Sequence, residues 1–223
     1  MARVIAIDGP SGAGKSSVSR IVGKKLGFLH VDSGALYRIM TWQALVRKVD
    51  TDNPEAVAAF APTVDIECRP ENGAIAYYVG GEPPGERIRT PEINAHASQV
   101  ATVKAVRDRI TAILRGLTRF GDLVVEGRDI TTAVFPDSPA RFYLTASAEA
   151  RAMRRQKEEV EKGIANQSAA AVKASLLARD AIDSTRKYAP LRKADGAIEI
   201  DSSDLTLEQV VDIVLEKIHE TFD

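Results

Sequence analysis

The apolar residues of this chain fall into two alternating patterns, short β-branched runs and stripes with helical spacing. Residues 4–7 form the first run, which is typical of a strand buried in a parallel sheet. Similar runs predict strands at 28–31, 123–125, 142–144 and 197–200, and helical stripes lie at 18–26, 35–45, 103–117 and 207–218. Because strands alternate with helices, we predict an α/β fold: a five-stranded parallel sheet with helices on both faces. A capping box of Thr206 and Gln209 is expected to begin the last helix.

The region 63–92 interrupts this alternation. Residues 64–67 alternate between apolar and polar, 74–79 form a second strand-like run, and a third short strand is predicted near Ile88. Turn signals at 70–73 and 80–85 separate these runs. We therefore predict one domain over 1–223 with a small antiparallel β insertion at 63–92. The insertion either has a function of its own or is a passive surface excursion.

The segment GPSGAGKS at 9–16 matches G-x-x-x-x-G-K-[ST], the P-loop pattern, and has the required strand before it and helix after it. Its backbone N–H groups are expected to bind phosphate oxygens, and Lys15 to reach the β- and γ-phosphates. The hydroxyl of Ser16 is a candidate Mg²⁺ ligand. The predicted triphosphate-binding residues of this segment are Gly9, Pro10, Ser11, Gly12, Ala13, Gly14, Lys15, Ser16 and Ser17.

The composition of the chain limits the classes of partner that it is expected to bind. The 223 residues are 44% hydrophobic and 27% charged with a net charge of −1, which gives no general case for binding nucleic acid or an anionic membrane. No apolar run approaches the ~18 residues of a membrane span. The single cysteine, Cys68, indicates a reducing compartment, and we favour a small buried hydrophobe over a nucleophile. The three histidines are scattered, which disfavours a histidine metal site.

Arginines are concentrated where strands end and in the helices after the fourth strand. They are Arg38, Arg128, Arg151, Arg154, Arg155, Arg179 and Arg186. Transfer of a phosphoryl group between two anions needs such fixed cations, although Arg151, Arg154 and Arg155 could each lie on a solvated helix face. The D-x-x-G and N-K-x-D motifs of a switch GTPase are absent from the chain. Ser33 and Arg38 follow the second strand and could bind a ligand, or Ser33 could only form the turn.

Several motifs in order resemble the bacterial cytidylate kinase family: GPSGAGK at 9–15, DSGALYR at 32–38, IRT at 88–90, ASQVA at 97–101, GRDI at 127–130, VFP at 134–136 and RD to APL at 179–191. The resemblance covers nearly the whole chain. It implies transfer of the γ-phosphoryl group of Mg·ATP to CMP or dCMP, giving ADP and CDP or dCDP, in pyrimidine nucleotide metabolism. It also implies that the insertion 63–92 belongs to the CMP-binding region.

The resemblance assigns roles to individual residues. Ser33, Arg38 and Arg128 resemble the residues that hold the CMP phosphate, with Arg179 beside the transferred group. Ser98, Arg107 and Asp129 resemble those that contact the cytosine edge. Asp183 and Arg186 resemble the contacts to the sugar. The catalytic set is Lys15, Arg128 and Arg179. Residues 151–163 resemble a lid over ATP, with Arg154 as an ATP-binding residue.

Several alternatives stay open at this stage. Asp129 could form an ion pair with a nearby arginine, and Asp183 could be an N-cap or a salt-bridge partner. Thr131 stands where the family usually has glycine and would be strained if its φ were positive. The acceptor could instead be UMP, AMP or a small metabolite alcohol, or the chain could bind nucleotide without turnover. We expect a cytoplasmic monomer.

Overall fold

A computed structural model describes residues 2–161 and 168–222. The strands are β1 Val4–Asp8, β2 Leu29–Asp32, β3 Glu67–Glu71, β4 Ala74–Tyr78, β5 Leu123–Gly127, β6 Ala140–Thr145 and β7 Ile198–Asp201. The α-helices are α1 Lys15–Leu26, α2 Ser33–Val46, α3 Pro54–Phe60, α4 Pro91–Val100, α5 Lys104–Gly116, α6 Ala148–Glu161, α7 Ala169–Thr185 and α8 Leu207–Phe222. Single turns of other helix types lie at Ala61–Thr63, Gly85–Ile88, Leu117–Phe120 and Ile130–Val134.

These strands form a sheet with the order β3-β4-β2-β5-β1-β6-β7. The five predicted strands are parallel, and β1 lies between β5 and β6. The α/β class and the parallel sheet are therefore confirmed, as is the P-loop fold. Because parallel strands end at the same edge, the segments that follow β1, β2 and β5 meet on one side of the sheet.

Alternation along the strands divides the core into two apolar layers. In β1, Val4 and Ala6 face the layer under α2 and α5, whereas Ile5 and Ile7 face the layer under α1 and α8. All five residues of β1 are buried, as expected for a central parallel strand. The capping box is confirmed, because Gln209 N–H donates to Thr206 Oγ1 at 3.2 Å and Thr206 N–H to Gln209 Oε1 at 2.8 Å.

The insertion differs from its prediction in three respects. Its antiparallel hairpin, β3 and β4, joins the main sheet through a parallel bridge from Ala74 to His30, so this sheet has seven strands rather than five. Residues 70 and 71 belong to β3, and the turn is confined to Asn72 and Gly73. The third strand near Ile88 was wrong, because Gly85–Ile88 is a single helical turn that buries Ile88.

The structure bears on the expectations about Cys68 and about membrane-spanning segments. Cys68 is buried, and burial raises the pKa of its thiol to about 11, which fits a small hydrophobe rather than a nucleophile. Among the helices of the described residues, none has the length and apolar character that crossing a membrane requires.

The first turn of the P-loop leaves no room for a side chain. A Cβ on Gly9 would lie 1.9 Å from the carbonyl oxygen of Leu144, whereas a Cβ on Gly14 would meet nothing within 4 Å. We expect Gly9→Ala to lower the free energy of unfolding by at least about 3 kcal/mol. Gly14→Ala, which adds only the strain of a left-handed backbone, should lower it by about 1–2 kcal/mol. Urea unfolding of both variants measures the difference, and equal losses would contradict the packing of Gly9 against β6.

Candidate active site

A cleft of about 390 Å³ opens at the carboxyl ends of β1, β2 and β5. It is lined by these residues of the predicted triphosphate loop: Ser11, Gly12, Gly14, Lys15, Ser16 and Ser17. It is also lined by these residues of the predicted acceptor site: Ser33, Arg38, Ser98, Arg128, Asp129, Arg179, Asp183 and Arg186. Gly9, Pro10, Ala13, Arg107 and Arg154 do not line it. The fold thus brings most of the predicted residues into one cleft.

Lys15 stands at the beginning of α1, where Gly14 adopts a left-handed backbone with φ 88°. Its side chain is buried, and Nζ donates to the carbonyl oxygen of Pro10 at 2.8 Å. Burial and the nearby Arg128 lower the pKa of Lys15 to about 7. The ammonium group is therefore poised to gain from an anion in the cleft, next to the positive end of α1.

Arg38, Arg128 and Arg179 line the same cleft as Lys15 and add to its positive charge. The Nε atoms of Arg38 and Arg179 are buried and have no hydrogen-bond partner among the described residues. Burial and the neighbouring Arg128 lower the pKa of Arg179 to about 10. Unpaired buried donors and depressed pKa values indicate a site that is stabilised by a bound anion, and a phosphate group matches guanidinium geometry well.

Two carboxylates hold Arg38 and Arg128 in place. Asp32 caps α2 by accepting from Ala35 N–H at 3.0 Å, and its other oxygen accepts from Arg38 Nη2 at 2.9 Å. Arg89 lies 3.8 Å from the same oxygen and also lines the cleft. Arg128 Nε donates to Asp183 at 3.0 Å. The salt-bridge alternative for Asp183 is therefore observed. Arg89 was given no role from the sequence, although it lies in the quoted motif 88–90.

The predicted base-contacting residues form a second cluster. Arg107 Nη2 donates to Asp129 at 2.5 Å and its Nη1 to the carbonyl oxygen of Ala101 at 3.0 Å. Arg186 lies 3.5 Å from the other oxygen of Asp129. The ion-pair alternative for Asp129 is thus observed, with Arg107 held behind the cleft wall. A carboxylate accepts about four hydrogen bonds, so Asp129 keeps capacity toward the cleft.

Ser33 is not merely a turn residue, because it opens α2 and its hydroxyl donates to the carbonyl oxygen of Glu126 at 2.6 Å. A Cβ on Gly127 would lie 2.6 Å from that hydroxyl and 2.7 Å from Ile130. Glycine at 127 therefore permits the close approach of β5 to the beginning of α2. Ser33 and Arg128 both line the cleft.

Glu126 is a cleft residue that the sequence analysis missed. It is buried at the end of β5, and its Oε1 has no hydrogen-bond partner among the described residues, although His30 Nε2 lies 3.5 Å away. An acidic residue that ends an apolar strand was the available signal. Ser16 and Glu126 line the same cleft and are hard oxygen donors. They fit Mg²⁺, which takes one or two protein ligands with phosphates and waters; the described residues contain no cluster of three metal-ligating side chains.

The three arginines of α6 have different surroundings. Arg151 is buried and donates to the carbonyl oxygens of Ser11 and Ala146 and to the carboxylate of Asp180, so it supports the P-loop from behind. Arg154 donates to the hydroxyl and the carbonyl oxygen of Ser202. Arg155 lines the cleft instead. The last residues of the predicted lid, 162 and 163, lie outside the described residues.

The backbone of Thr131 is not strained in the way that a positive φ would have caused. It is not among the residues with positive φ, so threonine fits the backbone there. It lies in the single turn Ile130–Val134 directly after Asp129, where it is buried. The loop geometry therefore accommodates this departure from the family pattern.

A phosphate loop on a parallel sheet, facing a group of arginines across one cleft, defines a phosphotransferase of the P-loop class. A sequence profile described as cytidylate kinase matches residues 5–220. The cytidylate kinase of Streptomyces griseus is 44% identical over 95% of this chain and 90% of its own length. The cytidylate kinase of Clostridioides difficile is 40% identical over 97% of this chain and 98% of its own length. The chain belongs to the cytidylate kinase family, which confirms the resemblance.

Among solved structures, an uncharacterized protein from Eubacterium ventriosum superposes with a TM-score of 0.54. The two sequences are 10% identical, and the match covers 97% of this chain and 98% of that one. This likeness concerns the fold alone.

The lowered pKa of Lys15 predicts a proton uptake on binding of Mg·ATP. Lys15 is mostly neutral at about pH 8 because its pKa is about 7, and bound phosphates raise that pKa. We expect an uptake of about 0.9 proton at that pH and an affinity that falls as pH rises through 7. Calorimetry in buffers of different ionisation enthalpy measures the uptake. Lys15→Met should abolish it, and an unchanged uptake in that variant would contradict the assignment to Lys15.

Proposed function

We propose that this chain transfers the γ-phosphoryl group of ATP to CMP or dCMP, giving ADP and CDP or dCDP, in pyrimidine nucleotide metabolism. The observation that carries the proposal is the group of cations Lys15, Arg38, Arg128 and Arg179 around one cleft between the P-loop and the Asp129 cluster. Membership of the cytidylate kinase family supports the same reaction. The chain is an ATP-dependent nucleoside monophosphate kinase.

The reaction needs charge stabilisation more than proton transfer. The acceptor oxygen of a nucleoside monophosphate is already an anion, so no dedicated general base is required. Lys15 neutralises the β- and γ-phosphates of the donor, and Arg128 and Arg179 stabilise the charge on the transferred group. Ser33 and Arg38 hold the acceptor phosphate in line. Mg²⁺, when bound with ATP at Ser16 and near Glu126, supplies further neutralisation of the phosphates.

Base selection is assigned to the Asp129 cluster. The N4 amino group of cytosine can donate to the carboxylate of Asp129, and the hydroxyl of Ser98 can donate to the N3 or O2 acceptor. Arg107, which lies behind the cleft wall, orients the Asp129 carboxylate rather than contacting the base. Uracil carries an acceptor in place of N4, so a carboxylate facing it would repel it. Asp183 and Arg186, which are ion-paired at 3.4 Å, complete the sugar side of the pocket.

Other parts of the chain take supporting roles in this proposal. The insertion at 63–92 and the lid at 151–163 close over CMP and ATP respectively and exclude water, which limits hydrolysis of ATP. The described part of the lid, 151–161, carries four basic residues, Arg151, Arg154, Arg155 and Lys157, of which Arg155 lines the cleft and Arg154 is held against Ser202. We further propose that the protein acts as a cytoplasmic monomer without nucleic-acid or membrane partners, consistent with its net charge of −1.

The first test is release of ADP from Mg·ATP in the presence and absence of CMP, comparing Lys15→Ala with Lys24→Ala. Lys24 is exposed on the same helix and serves as the matched control. We expect turnover to depend on CMP and to fall by at least about 100-fold in Lys15→Ala, with Lys24→Ala unaffected. Wild-type turnover in Lys15→Ala would contradict the role of the P-loop. Release of ADP that does not depend on CMP would contradict the assignment of CMP as the phosphoryl acceptor.

Base selection is tested by Asp129→Asn. An amide can donate to the O4 of uracil, so the ratio of kcat/KM for CMP to that for UMP should fall by about 10–100-fold. Asp108→Asn, at an exposed position on α5, is the control and should leave the ratio unchanged. If Asp129→Asn lowers activity with both nucleotides equally, Asp129 supports the pocket without selecting the base.

A further inference from the structure

A buried carboxylate joins the two loops that bind the donor and the acceptor. Asp8 is the last residue of β1 and immediately precedes the P-loop. Its Oδ1 accepts from Ile130 N–H at 2.8 Å, and its Oδ2 accepts from Thr131 N–H at 2.7 Å and from the Thr131 hydroxyl at 2.6 Å. Asp8 has no exposed surface, and Thr131 is 1% exposed.

These three hydrogen bonds are all made to the segment directly after Arg128 and Asp129. Asp8 is also paired with Gly127 in the register of β1 and β5, so the carboxylate acts where both strands end. The backbone then turns, because Ala133 N–H donates to the carbonyl oxygen of Asp129 at 2.9 Å. The Asp8 carboxylate thereby fixes where the chain leaves β5 relative to where it leaves β1.

Burying this carboxylate is unfavourable on its own. Burial raises its pKa to about 6, even though the Thr131 bonds act in the opposite direction. At neutral pH the group is ionised and accepts three donors, a geometry that an amide or an alkyl group could not reproduce. The Thr131 hydroxyl supplies one of these three donors. An expensive buried charge at this position indicates a role in the site beyond filling space.

We propose that Asp8 and Thr131 form a positioning pair for phosphoryl transfer, holding the acceptor-binding residues Arg128 and Asp129 in register with the P-loop. Asp8 does not line the cleft, so it acts through the loop that it anchors. The pair sets the distance between two sites that are each complete without it. The inference rests on the proposed function, since it concerns the alignment of donor and acceptor phosphates.

A pair that aligns two intact sites predicts a specific kinetic signature. Binding of ATP alone or CMP alone depends on local contacts and should change little when the pair is weakened. The reaction depends on the relative placement of both phosphates, and a displacement of about 1 Å can lower kcat on the order of 100-fold. A residue with a purely structural role would lower stability without this separation of kcat from binding.

The experiment compares Thr131→Val, Thr131→Ser and Ser138→Ala. Thr131→Val removes the hydroxyl at nearly constant shape, and Thr131→Ser restores it. Ser138→Ala is the matched control, because the buried Ser138 hydroxyl donates to Val4 at the opposite end of β1, at 2.6 Å. Asp8→Asn is the stronger change but could impair folding, so the conclusion depends on the Thr131 variants.

Each variant is measured by calorimetric Kd for ATP and for CMP, by kcat, and by urea unfolding. We expect Thr131→Val to lower kcat about tenfold with both Kd values within about threefold of wild type. Thr131→Ser should recover most of kcat, and Ser138→Ala should lose stability with unchanged kcat. Wild-type kcat in Thr131→Val, or an equal loss of kcat in Ser138→Ala, would overturn the proposal. Failure of the proposed function can be distinguished from failure of this inference, because in the first case the wild-type protein itself would show no CMP-dependent turnover.

Discussion

Concentrated positive charge in a buried cleft is the constraint on which the rest of this structure depends. Lys15 and Arg179 have lowered pKa values because burial and neighbouring cations disfavour their charged forms. Asp32 and Asp183 offset part of this charge and fix two arginines by direct contact. What is left is an excess that a phosphate group would neutralise. The site is thus preorganised for anions, and its electrostatic gain is greatest when donor and acceptor phosphates are both present.

The fold supplies this arrangement through the order of its strands. β1 lies beside β5, so the loop that binds the donor and the segment that carries Arg128 leave the sheet side by side. β2 follows on the other side of β5 and brings Ser33 and Arg38 from the beginning of α2. α7 adds Arg179 from outside the sheet. A parallel sheet therefore joins segments far apart in sequence without needing a long loop inside the cleft.

The features that could be predicted from the sequence are those that a local pattern of residues determines. Periodicity and the P-loop motif sufficed for the five parallel strands and for α1, because each signal lies within a few residues. The bridge between His30 and Ala74 that adds the hairpin to the sheet is a long-range pairing with no local mark. Glu126 was given no role because its position at the end of an apolar strand does not by itself show that it is buried against the cleft. The arginines of α6 could not be distinguished, since helical spacing alone does not show that Arg151 turns toward Asp180.

The central claim is that donor and acceptor phosphates meet within one cluster of cations. It is tested most directly by calorimetric binding of a bisubstrate analogue in which a polyphosphate joins adenosine to cytidine. The account predicts that this compound binds at least about 100-fold more tightly than ADP or CMP alone, because both subsites and the cations between them are filled at once. An affinity no better than that of the tighter single nucleotide would contradict it.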